Sequence, residues 1–428
     1  MAQNSITKRH VLAAVLGNAL EFYDFSTFAF FASQIGRSFF PASTPMVSLM
    51  LSLATFGAGF ATRPLGALVL GMMADRVGRR PAMLISLTLM GAAVLALAAC
   101  PSYAQIGPAA PVLVVLIRLV QGFALGGEVG PTTAFLLEAA PVGRRGIYTA
   151  LQSISQNAAA LVAGIVGFVI ASVLTPLQIE QFGWRIAMVL GAVVLPFGIL
   201  IRRSLPETLH LATETPAGPA ATAGGGLQWR VILCSVAILT GGTVTTYIQS
   251  YLTTYSGAIL HMKVSVAFTA TITYGLVGIL FNIAGALASD RFGRRPVMIG
   301  PRVALFCLIL PAFWLLDRNR DGATLAGITA VMTACGSASG GALMAALTES
   351  LRKSSRSATL SLVYAGTIAL VGGTTQLVVT WLIVASGDTL APAYFYMAAT
   401  AIGLTGMVLI RESAPARLRP ASVPVAAR

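Results

Sequence analysis

One short charged phrase occurs twice in this chain, as Gly71-Met-Met-Ala-Asp75-Arg76-Val-Gly78-Arg79-Arg80 and as Ala286-Leu-Ala-Ser-Asp290-Arg291-Phe-Gly293-Arg294-Arg295. Each copy lies between two long apolar stretches. A charged turn between apolar runs marks a chain that crosses a membrane and returns, and its repetition marks an internal duplication. The two halves also close alike, with Arg203-Ser-Leu-Pro-Glu207-Thr and Arg411-Glu412-Ser.

Composition agrees. Of 428 residues, 56% are hydrophobic and 10% charged, against roughly 25% charged in soluble domains. The net charge of +14 would suit nucleic acid, but the basic residues sit in short clusters at the ends of apolar runs and form no stripe. They read as topology signals, and no nucleic acid is expected as a partner. Cys100, Cys234, Cys307 and Cys335 lie within apolar runs without CxxC spacing. They read as small buried hydrophobes, so neither a disulfide framework, a metal site nor a cofactor is expected. Lys8-Arg9 precede an apolar run reaching about residue 33, too long for a signal-peptide core, which reads as a first spanning helix.

At ~20 apolar residues per span, the sequence predicts twelve helices, near 10–33, 48–73, 81–100, 111–138, 147–172, 184–203, 230–255, 265–288, 296–316, 323–347, 357–382 and 391–411. The basic residues at 8, 9, 76, 79, 80, 144, 145, 202, 203, 230, 291, 294, 295, 352, 353, 356 and 411 fall on one side of this map. The opposite loops keep only Arg37, Lys263, Arg318 and Arg320. That bias places both termini in the cytoplasm. Residues 204–229 contain Pro206, Pro216, Pro219 and Gly224-Gly225-Gly226, and read as a flexible cytoplasmic linker. The expected fold is an all-α membrane protein of two six-helix bundles, 1–203 and 230–411, with a cytoplasmic tail at 412–428.

The doubled G-x-x-x-D-R-x-G-R-R phrase, the twelve spans and the central loop resemble the major facilitator superfamily over essentially the whole chain. Within it the chain resembles the metabolite–proton symporters. The residues that carry this are Gly17-Asn18-Ala-Leu-Glu21-Phe-Tyr-Asp24-Phe25, Gly59-Phe60-Ala-Thr-Arg63-Pro64-Leu-Gly66, Arg118-Leu-Val-Gln121-Gly122-Phe-Ala-Leu-Gly126-Gly127-Glu128 and Gly183-Trp184-Arg185. Gly340 to Glu349 and Tyr251 to Tyr255 look most like citrate and tricarballylate carriers. The resemblance implies the major facilitator fold, alternating access and a bacterial inner-membrane location. It also implies a small organic anion and protons as partners, besides membrane lipid.

Charges inside spans carry the functional signal, because a charge at mid-bilayer must be paired or face water. The outstanding ones are Glu21 and Asp24 in the first predicted span, Arg63 in the second and Arg118 in the fourth. At ~1.5 Å per residue, Glu21 matches Arg63 in depth and Asp24 matches Arg118. The alternatives are pairs that merely neutralise each other, or a site in which arginine forks grip substrate carboxylates. In the second case the substrate captures the arginine, and the released protein carboxylate takes up a proton, which couples the two events. Asp24 and Glu21 both remain candidates for the proton carrier, with Arg63 as coupling partner. Arg118 leads the expected substrate contacts, followed by Asn18, Gln121, the Gln152/Gln156 pair, the Tyr251/Tyr255 pair and Ser339. Tyr247, Asn282 and Tyr364 are further polar residues in predicted spans, and each alone is as readily an interhelical hydrogen bond.

The doubled turns are too short and charged to hold substrate. Asp75 and Asp290 can cap a helix start in the neighbouring bundle, a role the resemblance also implies. Arg79 and Arg294 can reach Glu138 and Glu349. Together these form an expected cytoplasmic gate, with simple positive-inside anchoring as the alternative. Glycines 122, 126, 127, 130, 336, 340 and 341 allow close helix approach, for sliding or for static packing.

The reading is a proton-coupled symporter importing a tricarboxylate such as citrate or tricarballylate. The alternatives are a dicarboxylate or zwitterionic osmolyte symporter and, less well supported, a drug–proton antiporter, for which the fifth span lacks the expected Gly-Pro core. An enzyme is disfavoured, since HExxH, GxSxG and P-loop motifs are absent and His10, His210 and His261 lie at helix ends or loops. Each chain holds both halves of a site, so a monomer suffices.

Overall fold

The computed structural model describes residues 8–77, 79–126, 136, 140–141, 144–193, 229–351 and 356–412. The side chains of Glu21, Asp75 and Arg79 fall outside that description, as do Glu138 and nearly all of the expected linker and tail. Every described element is helical: α1 Lys8–Phe30, α2 Ala32–Phe39, α3 Pro45–Ala61, α4 Arg63–Arg76, α5 Arg79–Ala99, α6 Ala109–Gly126, α7 Arg145–Val173 and α8 Trp184–Val193. After residue 228 come α9 Trp229–Thr254, α10 Val264–Phe292, α11 Arg294–Arg318, α12 Gly322–Ser350, α13 Arg356–Thr367, α14 Gly373–Ser386 and α15 Ala391–Leu409. Among the described residues nine helices are long and apolar enough to cross a membrane, and Leu84–Ala99 is a shorter apolar one.

Local chemistry sets the ends. The Thr44 hydroxyl accepts the Val47 amide ahead of Pro45, starting α3. Asp321 accepts the Ala323 and Thr324 amides at 2.9 and 3.0 Å, starting α12. The second expected span is bent rather than continuous. Pro64 lacks an amide to continue the ladder, and the Thr62 hydroxyl donates to the Leu119 carbonyl of α6 at 2.7 Å. The break puts Arg63 at the start of α4, on the inside of the bend. π-helical turns at Ile179–Gly183, Tyr255–Ile259 and Ile368–Gly372 interrupt three other segments, a feature common at functional sites.

Glycines set how closely the backbones approach. A Cβ on Gly122 would lie 1.5 Å from the Gly59 carbonyl oxygen, and one on Gly126 would lie 2.0 Å from that of Arg63. α6 is thus pressed against the α3–α4 bend. In the same way Gly275 and Gly278 of α10 receive Leu161 and Asn157 of α7, which joins the two halves along their length. One buried cluster runs from Phe25, Phe28, Phe56 and Phe60 through to Tyr247 of α9 and Phe268 and Tyr274 of α10. A second fills the space among α9, α11, α12, α14 and α15. Outward surfaces carry Leu68, Val112, Leu116, Leu280 and Trp381, all more than half or nearly half exposed; such a surface suits lipid, not water.

Gly122→Ala forces the α3–α6 backbones apart and is expected to lower the melting temperature in detergent by several degrees, the effect of roughly 1–3 kcal/mol of overpacking. Gly71→Ala, which meets nothing within 4 Å, should leave it unchanged.

Candidate functional site

Three charged side chains converge where α1, α4 and α6 meet α9. Arg118 and Asp24 are 2% and 3% exposed, and Arg118 Nη1 lies 3.9 Å from Asp24 Oδ2. The same nitrogen donates to Gln121 Oε1 at 2.5 Å. The Arg118 guanidinium stands 4.3 Å from the Phe28 ring centroid, with Phe56 and Phe25 at 5.3 and 5.7 Å. The Arg63 guanidinium stands 4.2 Å from Phe60 and 5.2 Å from Phe25. Aromatic faces stabilise a desolvated cation by on the order of 1–2 kcal/mol each, so both charges are held in an aromatic box that shares Phe25. Tyr247 of α9 closes it, with ring centroids 5.8 to 6.4 Å from Phe60, Phe25 and Phe56.

Neither Asp24 oxygen has a hydrogen-bond partner among the described residues, and 3.9 Å is too long for one. The ion pair is therefore loose. Among the described side chains, two guanidiniums and one carboxylate share this box. As expected from depth, Asp24 meets Arg118. The Glu21–Arg63 pair lies outside the described side chains.

The polar wall only partly matches expectation. Asn18 Nδ2 donates to the Gln152 carbonyl at 3.1 Å and to Ser155 Oγ at 2.7 Å. Gln156 reaches the Tyr364 hydroxyl across the two halves. Tyr251 and Tyr255 turn elsewhere: the Tyr251 hydroxyl bonds Thr380 at 2.7 Å, and that of Tyr255 donates to the Thr389 carbonyl at 2.9 Å. At about 100° per residue they lie about 40° and 80° around α9 from Tyr247, enough to bury them in the second core. Ser339 donates to the Met298 carbonyl at 2.8 Å, inside the contact of α12 with α11. On the site side stand Tyr247 and Gln376, whose Nε2 donates to the Tyr247 carbonyl and to Ser250 Oγ at 3.4 and 3.3 Å. The four phenylalanines of the box were missed as functional residues; their signal was the aromatic density of α1 and α3.

A second charged cluster surrounds the repeated turn. Gly293, at φ +101°, lets the chain reverse between α10 and α11. Asp290 Oδ1 accepts the Gly146 amide of α7 at 3.0 Å and Arg294 Nη1 at 2.7 Å. The carboxylate thus sits at the positive end of a helix from the other half. Arg294 also donates to both Glu349 oxygens at 3.1 and 3.2 Å. Glu412, named only as part of the repeated closing phrase, accepts the Arg294 and Arg295 amides at 2.9 and 3.0 Å and so caps α11. The matching Asp75, Arg79 and Glu138 lie outside the described side chains. Glu412→Ala should cost about 1 kcal/mol, a typical capping loss, read as a lower melting temperature.

A bundle of apolar helices with buried charges at the contact of two halves defines a membrane protein of the transporter class. The profile described as Major Facilitator Superfamily matches residues 14–315, and that described as Sugar (and other) transporter matches residues 220–413. A citrate-proton symporter of Klebsiella pneumoniae is 35% identical over 95% of this chain and 92% of its own. A proline/betaine transporter of Salmonella typhimurium is 30% identical over 97% of this chain and 85% of its own. The crystal structure of a D-xylose-proton symporter superposes with a TM-score of 0.76 at 16% identity, covering 95% of this chain and 98% of that one. The chain belongs to the major facilitator superfamily, and the relatives it matches are transporters, not enzymes.

Proposed function

We propose that the protein is a proton-coupled symporter that imports a tricarboxylate such as citrate or tricarballylate by alternating access. The observation that carries this reading is the pair of buried guanidiniums, Arg63 and Arg118, with Asp24 as the one carboxylate among the described side chains of the site. A site with surplus positive charge, walled by aromatics and split between two halves of the molecule, suits a polyanion. The citrate-proton symporter relatives point the same way. In this reading Arg118 and Arg63 bind substrate carboxylates, with Gln121, Asn18, Gln152, Gln156 and Tyr247 as the polar wall. Substrate draws Arg118 from Asp24, which then takes a proton, so that both cross together. Asp290, Arg294 and Glu349, with Asp75, Arg79 and Glu138 as their counterparts, close the cytoplasmic side and break open in each cycle.

The same reading places twelve spans in a bacterial inner membrane, as bundles 1–203 and 230–411 joined by the linker 204–229, with both termini cytoplasmic and a monomer as the working unit. A zwitterionic osmolyte is the second reading. The proline/betaine relatives favour it, as does the aromatic box, which would also suit a quaternary ammonium group.

The test is uptake of labelled citrate into proteoliposomes, with and without an inward proton gradient, in competition with tricarballylate, succinate and betaine. Gradient-stimulated citrate uptake blocked by tricarballylate is the expected result; uptake blocked only by betaine would move the assignment to the second reading. Asp24→Asn should abolish stimulation by the gradient while leaving citrate exchange. Arg118→Lys, which loses the planar fork, should raise KM by about tenfold or more.

A further inference from the structure

Arg302 lies outside the site described above and outside the duplicated scaffold. It stands eight residues after Arg294, where the first copy of the repeat has Leu87 eight residues after Arg79. Leu87 is an ordinary core residue, fully buried. Arg302 is 1% exposed, in the interior of the second half. Its Nη1 donates to Thr245 Oγ1 of α9 at 2.5 Å, and its Nε has no partner. The polar groups around it are neutral. The Tyr396 hydroxyl and the Cys335 thiol lie within electrostatic reach, and Gln249 Nε2 donates to that hydroxyl at 3.2 Å and to the Met332 carbonyl at 3.0 Å. Among the described residues no carboxylate pairs with Arg302. A guanidinium stays protonated, so a full positive charge stands here without a counter-charge, a costly arrangement that marks function within a membrane.

Its place relative to the central site follows from α9. Thr245, which holds Arg302, precedes Tyr247, which closes the aromatic box, by two residues. Side chains two apart on a helix point to nearly opposite sides. Arg302 and the Arg63–Arg118 site therefore flank α9 from either side, at least one helix diameter of roughly 10–12 Å apart. Thr245 and Tyr247, the residues of α9 that face the two sides, are themselves buried. At an effective dielectric of about 20, a unit charge over ~12 Å changes affinity by about tenfold for each charge on the ligand.

We propose that Arg302 is a charge-selectivity determinant. It touches no substrate, and its field across α9 makes the central site rank ligands by their number of negative charges. The inference rests on reading Arg63 and Arg118 as an anion site, and it adds a third cation to that site from the second half of the molecule.

The test is ligand binding to the purified protein in detergent at pH 8, where carboxylates are ionised, with tricarballylate, succinate, butyrate and betaine as a series of falling charge. Arg302→Met should weaken binding by about three decades for the trianion, two for the dianion and one for the monoanion, with betaine unchanged. Arg302→Lys should keep wild-type ranking. Thr245→Asp, which sets a counter-charge beside Arg302 while leaving the arginine in place, should reproduce the graded loss even if Arg302→Met does not fold. An equal loss for every ligand, betaine included, would assign Arg302 a packing role and overturn the proposal. So would unchanged binding in both charge-neutralising variants. Wild-type protein that binds none of the anions would instead reject the central anion site, and this inference with it.

Discussion

Arg118 is a positive charge with almost no access to water, and much of the surrounding architecture serves to keep it there. The aromatic faces of Phe28, Phe56 and Phe25 replace part of its hydration, and Gln121 takes one of its donors. Asp24 compensates its charge from 3.9 Å without locking it. A tight bidentate pair would be more stable and less useful, since a coupled transporter needs a carboxylate that can change partners. Arg63, 5.2 Å from the Phe25 ring centroid, adds a second charge to the same box. The two like charges lie within electrostatic reach of each other, and in the proposed reading a substrate anion between them relieves that repulsion.

The scaffold that holds this arrangement depends on backbone contact. α6 can present Arg118 beside Phe56 only because Gly122 and Gly126 let its backbone meet Gly59 and Arg63. The helix break at Thr62 then sets Arg63, itself buried, at the start of α4. Farther along, the halves meet again through Asp290, which binds the start of α7 with one oxygen while Arg294 ties it to Glu349. A charged network at a helix end, unlike an apolar core, can separate and reform in water, as a contact broken in each proposed transport cycle must.

Much of this was readable in advance, for identifiable reasons. The charged turn at 290–295 announced the Asp290–Arg294–Glu349 contacts, because short charged loops between spans have few places to go. The depth match of Asp24 with Arg118 followed from the rise of a helix alone. Tyr251 and Tyr255, expected as lining residues, bond Thr380 and the Thr389 carbonyl here, because packing around α9 decides where the face they share with Tyr247 by spacing ends. Ser339 was likewise absorbed by the Met298 carbonyl. Arg302, a lone basic residue in an apolar run, went unremarked although composition alone could have flagged it.

By itself, then, the sequence determined a membrane-embedded helical chain, its major facilitator ancestry and the buried charges Asp24, Arg63 and Arg118, since hydropathy, period and charge are properties of local segments. The tertiary structure decided which of those charges meet, that aromatic rings rather than tyrosine hydroxyls surround them, and that a third arginine stands behind α9. Those outcomes depend on helix rotation and crossing, which are set by where glycines let backbones touch and by which side chains fill the remaining space. No single segment contains that information.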